Sequence, residues 1–320
     1  MTSHTENITL SFVDNVFSAE RSSATSGNNL NITHHTKHSS QECVINISPQ
    51  DHVPHLQIFH LFDQSKQAAA PLKIAIRIAP GASLCLSELF ESCAATSPTQ
   101  PVLMTIALSE NSTLQYDELQ LCNLDKRASF TLGRDANLHH ALFSTGGNAH
   151  SSKINVGLQG EGSSASLNVL FAVKTGNKSL HEVSLSHDTP NATSQQLIKG
   201  IIQEGGRAGF HGHVHVARSA QKTVAHQVNK NLLLGPKAFI DTRPALEIKA
   251  DDVKCTHGAT VGRISAEELF YLQSRSIPQS MAQQMLIRGF ANEVIQMARD
   301  SALRTRFETI LNSQFFSEAA

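Results

Sequence analysis

From about residue 55, apolar side chains fall at every second position in short runs separated by small and polar residues. Leu72, Ile74, Ile76 and Ile78 alternate with other residues, Ala79-Pro80-Gly81-Ala82-Ser83 turns the chain, and Leu84 and Leu86 resume the alternation. The same unit returns with Met104, Ile106 and Leu108, with Phe130 and Leu132, and with Ile154, Val156 and Leu158, each run leading into a polar turn. Period two is the mark of a strand with one buried face. Small residues at the turns (Ala82, Ser112, Ala136, Ala165, Ala220, Ala238 and Ala259) recur roughly every 20 to 30 residues, with one gap about twice as long. Strands repeating at this spacing without helices between them predict a parallel β-helix, a solenoid whose coils stack their inward rows into one core. A propeller blade needs about 40 residues, and a sandwich, the competing architecture, favours hairpins with Asn-Gly or Asp-Gly turns.

The two ends depart from this pattern. Thr9 to Phe17 alternates around Asp14-Asn15 and predicts a short hairpin. Ser22 to Asn31 reads as a loop, and His34, His35 and His38 as a solvated strand end or loop. At the other end Ser265-Ala266-Glu267-Glu268 is a capping box that opens a helix, and Ile277-Pro278 interrupts it. Ala282, Met285, Leu286, Gly289, Phe290, Glu293, Val294 and Met297 then mark one face of a second helix, and a third runs from Leu303 to Phe316. That stripe needs cover, from the end of the solenoid or from another subunit. The expected organisation is a short N-terminal segment over 1–55, a solenoid core over 56–264 and a helical domain over 265–320.

Composition narrows the function classes. The 320 residues carry a net charge of −1 with 17% charged residues and no Trp, so nothing favours nucleic acid or an anionic membrane. The five cysteines are scattered, without a CxxC pair, against both a disulfide framework and a ribbon-type zinc site. The first ten residues lack an apolar signal core and no apolar run reaches the ~20 residues of a membrane span. A cytoplasmic protein is expected.

Chemistry-bearing motifs are few. Val173-Lys174-Thr175-Gly176-Asn177-Lys178-Ser179 lacks the leading glycine and the Gly-Lys pair of a phosphate loop, and Gly205-Gly206-Arg207-Ala208-Gly209 leads into a strand pattern instead of a helix. No Gly-x-Ser-x-Gly elbow occurs. His211, His213 and His215 share one strand face; three imidazoles in a row suit zinc, but a polar outer face beside Val214 and Val216 is the plainer reading. Cys255 and His257 also share a strand face, and supply two of the four ligands a closed tetrahedral site needs. By spacing alone an ordinary strand is favoured; a site shared with another chain is the alternative.

The run from Gly206-Arg207-Ala208 through Asn229-Lys230-Asn231-Leu232-Leu233-Leu234, Asp241-Thr242-Arg243-Pro244-Ala245-Leu246-Glu247-Ile248, Lys254-Cys255-Thr256-His257-Gly258-Ala259-Thr260-Val261-Gly262 and Leu269-Phe270-Tyr271-Leu272 resembles the SufB/SufD family of the SUF iron–sulfur cluster assembly system, and looks like its SufD branch. The resemblance implies a right-handed parallel β-helix with a C-terminal helical domain, and a non-enzymatic scaffold that pairs with a SufB subunit and docks the ATPase SufC. It implies that the helices around Leu269, Phe270, Tyr271, Met285, Leu286 and Phe290 dock the ATPase. His257, with Cys255 as its neighbour, would stand at the SufB–SufD interface as a transient ligand of a nascent cluster. No cofactor is expected to be held by this chain alone, and a homodimer is an option when partners are absent. The N-terminal helical domain usual in the family is expected to be largely missing, and the resemblance assigns no role to His211, His213 and His215. Outside the family, the alternatives are a β-solenoid carbohydrate-active enzyme and a purely structural partner without cluster ligands.

Overall fold

The computed structural model describes residues 8–13, 16–17, 31–37, 40–49, 55–62, 71–92 and 101–315. Of the loop expected from Ser22 to Asn31 only Asn31 is described, as the first residue of a strand; residues 22–30, His38 and Cys93 lie outside the described residues. The strands among the described residues are, in chain order, β1 (Ile8–Val13), β2 (Val16–Phe17), β3 (Asn31–Lys37), β4 (Ser40–Ile47), β5 (Leu56–Phe62), β6 (Leu72–Ile78), β7 (Ser83–Ser92), β8 (Val102–Leu108), β9 (Thr113–Gln120), β10 (Asp125–Leu132), β11 (Asn137–Ser144), β12 (His150–Leu158), β13 (Ser164–Val173), β14 (Lys178–His187), β15 (Thr193–Ile202), β16 (Arg207–Val216), β17 (Val224–Leu233), β18 (Phe239–Ile248) and β19 (Lys254–Gly262). Three helices follow: α1 (Ala266–Ser274), α2 (Gln279–Ile295) and α3 (Ser301–Phe315).

From β4 onward successive strands alternate between two sheets. One runs β19-β17-β15-β13-β11-β9-β7-β5-β1-β2 and the other β18-β16-β14-β12-β10-β8-β6-β4-β3. Pairing is parallel except at β1–β2 and β3–β4, so the molecule is a parallel β-solenoid with two strands per coil. A coil spans 24 residues from Thr113 to its partner Asn137 and 32 from Arg207 to Phe239. The hairpin read at 9–17 is β1 and β2, which pair Phe12 with Phe17. The sheets reach upstream of residue 56: β1 pairs with β5 and β4 with β6.

Turn chemistry explains the repeat more closely than the alanines did. Asn137 N–H bonds to Ser112, Ser164 to Ala136, Thr193 to Ser163, Val224 to Ala192 and Lys254 to Thr223, each at the carbonyl of the turn residue one coil back. The stacked corner is therefore Ala82, Ser112, Ala136, Ser163, Ala192 and Thr223, all buried. Each follows a residue in the left-handed region: Gly81, Asn111, Asp135, Gly162, Asn191 and Lys222. A left-handed residue turns the chain sharply, and a small one fits where neighbouring coils touch. Ala165, Ala220, Ala238 and Ala259 thus lie outside the corner series, Ala165 and Ala259 within strands and Ala238 just before a strand of the other sheet, and the doubled gap in the alanine spacing is filled by Ala192. Gly176 and Gly205, from the two rejected glycine motifs, are left-handed turn residues as well.

One core fills the solenoid, built from the inward rows of both sheets. A second lies outside the ten-stranded sheet, where Leu119, Phe143, Leu170, Ala172 and Ile201 meet Ile287, Ala291, Val294, Ile295, Leu303 and Phe307. This accounts for strands such as β13 that are buried on both faces, whereas β6 alternates along its length, buried on the inner face and exposed or half-buried on the outer. The helices therefore flank the coils and do not cap their end. Asp117 fixes the approach to α3: its Oδ2 accepts the N–H of Arg299 at 2.7 Å and of Asp300 at 2.5 Å. Asp300 in turn caps α3, accepting from Ala302 N at 2.8 Å, and accepts the Ser87 hydroxyl at 2.6 Å. α1 begins as its capping box requires, with Glu268 N–H donating to Ser265 Oγ at 3.2 Å, and ends at a left-handed Ser276 just before Pro278.

Candidate functional site at the open end of the solenoid

The last coil has no successor among the described strands. β19 pairs only with β17 and β18 only with β16, leaving one hydrogen-bonding edge of each strand open. Phe239 N–H bonds to Gly206 and Lys249 N–H to Val216, so odd positions along β18 donate inward and even ones face the free edge. Pro244 sits at an even position in mid-strand, where its missing N–H costs no bond to β16. By the same alternation Lys254 N–H bonds to Thr223, and the N–H groups of Cys255 and His257 face the open edge of β19. Phe239, Ile248 and Val261 leave large apolar side chains exposed around this end.

In-register pairing sets what lies under each residue of β19. Cys255 stacks on Ala225, His257 on Gln227, Ala259 on Asn229 and Val261 on Asn231. Those four β17 residues are buried, so Cys255 and His257 continue an inward row into a coil that no further strand among the described residues covers. Their Cα atoms are about 6.6 Å apart along the strand. Cys255 is half-buried against the core, and burial pushes its thiol up, partly offset by a hydrogen bond with the Ala225 backbone. His257 is exposed. The interior beneath is polar: Gln227 Nε2 donates to Gln196 Oε1 at 3.1 Å, Asn231 Nδ2 to Asn229 Oδ1 at 2.6 Å, and Thr242 Oγ1 to Asn229 Oδ1 at 2.7 Å.

Among the described residues no group of three or more His, Cys, Asp or Glu side chains is arranged to hold a metal ion. The Cys255–His257 pair is accordingly at most half of a tetrahedral ligand set. The histidine run lies on the outer face of β16, with Val214 and Val216 in the core. His211 faces Asp241 at 3.7 Å, while His213 and His215 face Glu247 at 3.6 and 3.4 Å. These contacts make it a surface ladder of imidazoles and carboxylates.

The helical residues expected to dock an ATPase are spread over different environments. Phe270, Tyr271 and Met285 are exposed, with Phe270 at 72%. Leu269 and Leu286 are half-buried, and Phe290 packs inward, its ring 4.4 Å from Lys199 Nζ and its carbonyl accepting from Lys199 at 2.8 Å. The buried face of α2 is Ala282, Ile287, Ala291, Val294 and Ile295, rotated from the expected stripe. Met285, Gly289, Glu293 and Met297 are exposed.

A second polar cluster escaped sequence reasoning. Inside the solenoid, Lys126 Nζ lies 2.8 Å from Glu118 Oε1 and forms an ion pair with Glu88. Tyr116 Oη donates to Glu118 at 3.0 Å; His60 bonds Glu88 at 2.8 Å and His140 bonds Glu118 at 3.3 Å. Burial raises both carboxyls, but Lys126, supported by His60 and His140, holds Glu88 and Glu118 below the usual carboxylate range. Burial lowers the His60 imidazole. The available signal was an acid at an inward strand position in consecutive coils, Leu86-Ser87-Glu88-Leu89 and Tyr116-Asp117-Glu118-Leu119.

Taken together, these features define a β-solenoid with a helical flank and an unfinished end suited to pairing with a second chain. The chain belongs to the SufBD core family: the family described as "SUF system FeS cluster assembly, SufBD core domain" matches residues 60–290. It is 38% identical over 231 residues to the iron–sulfur cluster assembly protein SufD of Escherichia coli, covering 71% of this chain and 55% of that protein. It is 34% identical over 213 residues to the chloroplastic protein ABCI7 of Arabidopsis thaliana, covering 64% of this chain and 44% of that one. The chain thus spans about half the length of these curated relatives. Family and relatives support a role in iron–sulfur cluster assembly. No helix of the described residues is long and apolar enough to cross a membrane.

Proposed function

We propose that this chain is a non-enzymatic scaffold subunit of a cytoplasmic SUF assembly complex. It pairs with a SufB-like subunit through the open edges of β18 and β19, and a nascent iron–sulfur cluster forms transiently at that interface. His257 serves there as a ligand, Cys255 is its neighbour, and the cluster is cargo, not a resident cofactor. A SufC-like ATPase docks on the helical flank around Phe270, Tyr271 and Met285, and ATP hydrolysis belongs to that partner. The observation that carries the reading is one strand, β19, holding both the free edge and the imidazole. Edge-to-edge strand addition from a partner solenoid would bring its ligands beside His257 and bury the exposed Val261 and Ile248.

The carbohydrate-active alternative needs two carboxylates flanking an accessible sugar. Glu88 and Glu118, the carboxylates that one buried lysine draws together, are sealed in the core at 0% and 1% exposure. The test is reconstitution of the complex from this chain with its SufB-like and SufC-like partners. His257→Ala is expected to cut cluster formation, followed by visible absorption, at least tenfold while the complex still elutes intact. Unchanged cluster formation would leave only the structural-partner reading. Failure of the wild-type chain to retain either partner would remove the scaffold reading itself.

A further inference from the structure

In the ladder that ends at His257, the rungs one and two coils below are Gln227 and Gln196. Both are buried, Gln227 at 1% and Gln196 at 3%. Two primary amides inside an apolar solenoid are costly unless each polar atom is bonded. One bond is made: Gln227 Nε2 donates to Gln196 Oε1 at 3.1 Å. That bond leaves two buried atoms of the pair without a partner, Gln196 Nε2 as a donor on the inner rung and Gln227 Oε1 as an acceptor on the outer one. The next rung outward is His257, about 4.8 Å away by strand spacing.

The surroundings preserve this arrangement. Gly212, one of the two inward residues of the His-Gly-His-Val-His run, borders Gln227: a Cβ there would lie 2.5 Å from Gln227 Nε2 and 2.9 Å from the Phe210 ring. The glycine thus makes room for the amide, giving the run a structural use that its histidines do not have.

We propose that Gln227 is a positioning residue for His257. Its Oε1, unbonded in the structure, would accept the Nδ1–H of the imidazole, the ring nitrogen nearer the backbone, once the exposed ring turns over the open coil, which leaves the Nε2 lone pair facing outward. A ligating histidine needs one nitrogen protonated and anchored so that the other is free. The inference rests on the reading of His257 as a ligand, and adds that the chain sets its tautomer before any partner arrives. A solvent-exposed histidine without such an acceptor favours the opposite, Nε2–H form.

The experiment is long-range proton–nitrogen NMR of the full chain carrying nitrogen-15 histidine, with His257 assigned by its loss in His257→Gln. In the wild type, at a pH where His257 is neutral, the Nδ1–H tautomer is expected to dominate. Gln227→Met keeps the length but removes the acceptor, and is expected to return His257 to mostly Nε2–H; Gln227→Glu, which keeps an acceptor, is expected to retain Nδ1–H. The remaining histidine signals report whether each variant stays folded, and Gln227→Asn, too short to reach, replaces Gln227→Met if that variant does not fold. An Nε2–H wild type, or an Nδ1–H form that survives loss of the acceptor, would overturn the proposal. Neither result depends on cluster formation, so failure of the ligand role and failure of this inference are read separately.

Discussion

Replacing Lys126 with Met removes the cation from between two buried carboxylates. In the folded chain Lys126 sits against both Glu88 and Glu118, each essentially without solvent contact. Loss of one partner from such a pair costs about 3–5 kcal/mol, because the remaining charge has lost its compensation. The pH dependence carries the sharper test. Glu88 and Glu118 are held below the ordinary carboxylate range when folded, despite burial, and titrate near about 4.3 when unfolded. Their contribution in the wild type is fully present above that unfolded value and is lost as pH falls through the folded ones. Without Lys126 burial dominates, and the folded state takes up a proton on a carboxyl or on the imidazole of His60 bonded to it. The penalty of Lys126→Met is therefore expected to shrink from pH 7 to pH 5, by up to about 1.4 kcal/mol per pH unit for one proton. Urea unfolding of wild type and variant at matched pH measures that difference. Glu88→Gln, Glu118→Gln and Lys126→Met combined is expected to recover much of the loss and to flatten its pH dependence. A penalty below about 1 kcal/mol at pH 7, or one that grows on acidification, would refute the reasoning.

Three further outcomes follow from the same geometry. Phe307, fully buried and stacked on Phe143 at 4.8 Å, joins α3 to the solenoid, so Phe307→Ala is expected to cost about 3–5 kcal/mol and to raise amide exchange first in the helices. Lys222 occupies a left-handed corner position at φ 59° where other coils use Gly, Asn or Asp; Lys222→Gly is expected to raise stability by up to about 1 kcal/mol in thermal unfolding, and a loss would contradict the corner assignment. Burial lowers the His187 imidazole from 6.5 to about 4, so the folded state refuses a proton that the unfolded chain accepts. Stability should fall as pH drops from 6.5 toward 4, and His187→Gln should remove up to about 1.4 kcal/mol per pH unit of that slope.

Much of the architecture is legible locally because burial with period two requires only that a strand show one face to the core. Leu72 to Ile78 and Ile154 to Leu158 announce inward rows without reference to any neighbour. The helix start at Ser265 and the break at Pro278 are legible for the same reason, since capping and proline chemistry act within one turn. The corner series was misread at Ala165, Ala220, Ala238 and Ala259 because a small residue is common, whereas the deciding property, a left-handed residue just before it, is conformational. The face of α2 was misjudged because a stripe of Met, Gly and Phe fits several rotations. Its contacts with Ile201 and Phe143 choose the one that buries Ile287 and Val294.

The Cys255–His257 site divides along the same line. Spacing placed the two side chains on one strand face, and the family motif singled them out. That the face opens from an uncovered coil, with Gln227 directly beneath, depends on pairing between strands 30 residues apart. Glu88, Glu118 and Lys126 likewise meet only because coil register brings β7, β9 and β10 together inside the solenoid. Sequence alone determined the repeating strands, the helical tail and the residues carrying the motif, since each follows from chemistry within a few residues. Tertiary structure decided which coil is left open, which helix face is covered and which buried charges compensate one another. Those outcomes turn on contacts whose partners are far apart along the chain, and coil lengths that vary from 24 to 32 residues, with 48 from Ile8 to Leu56, hide them from any fixed-period reading.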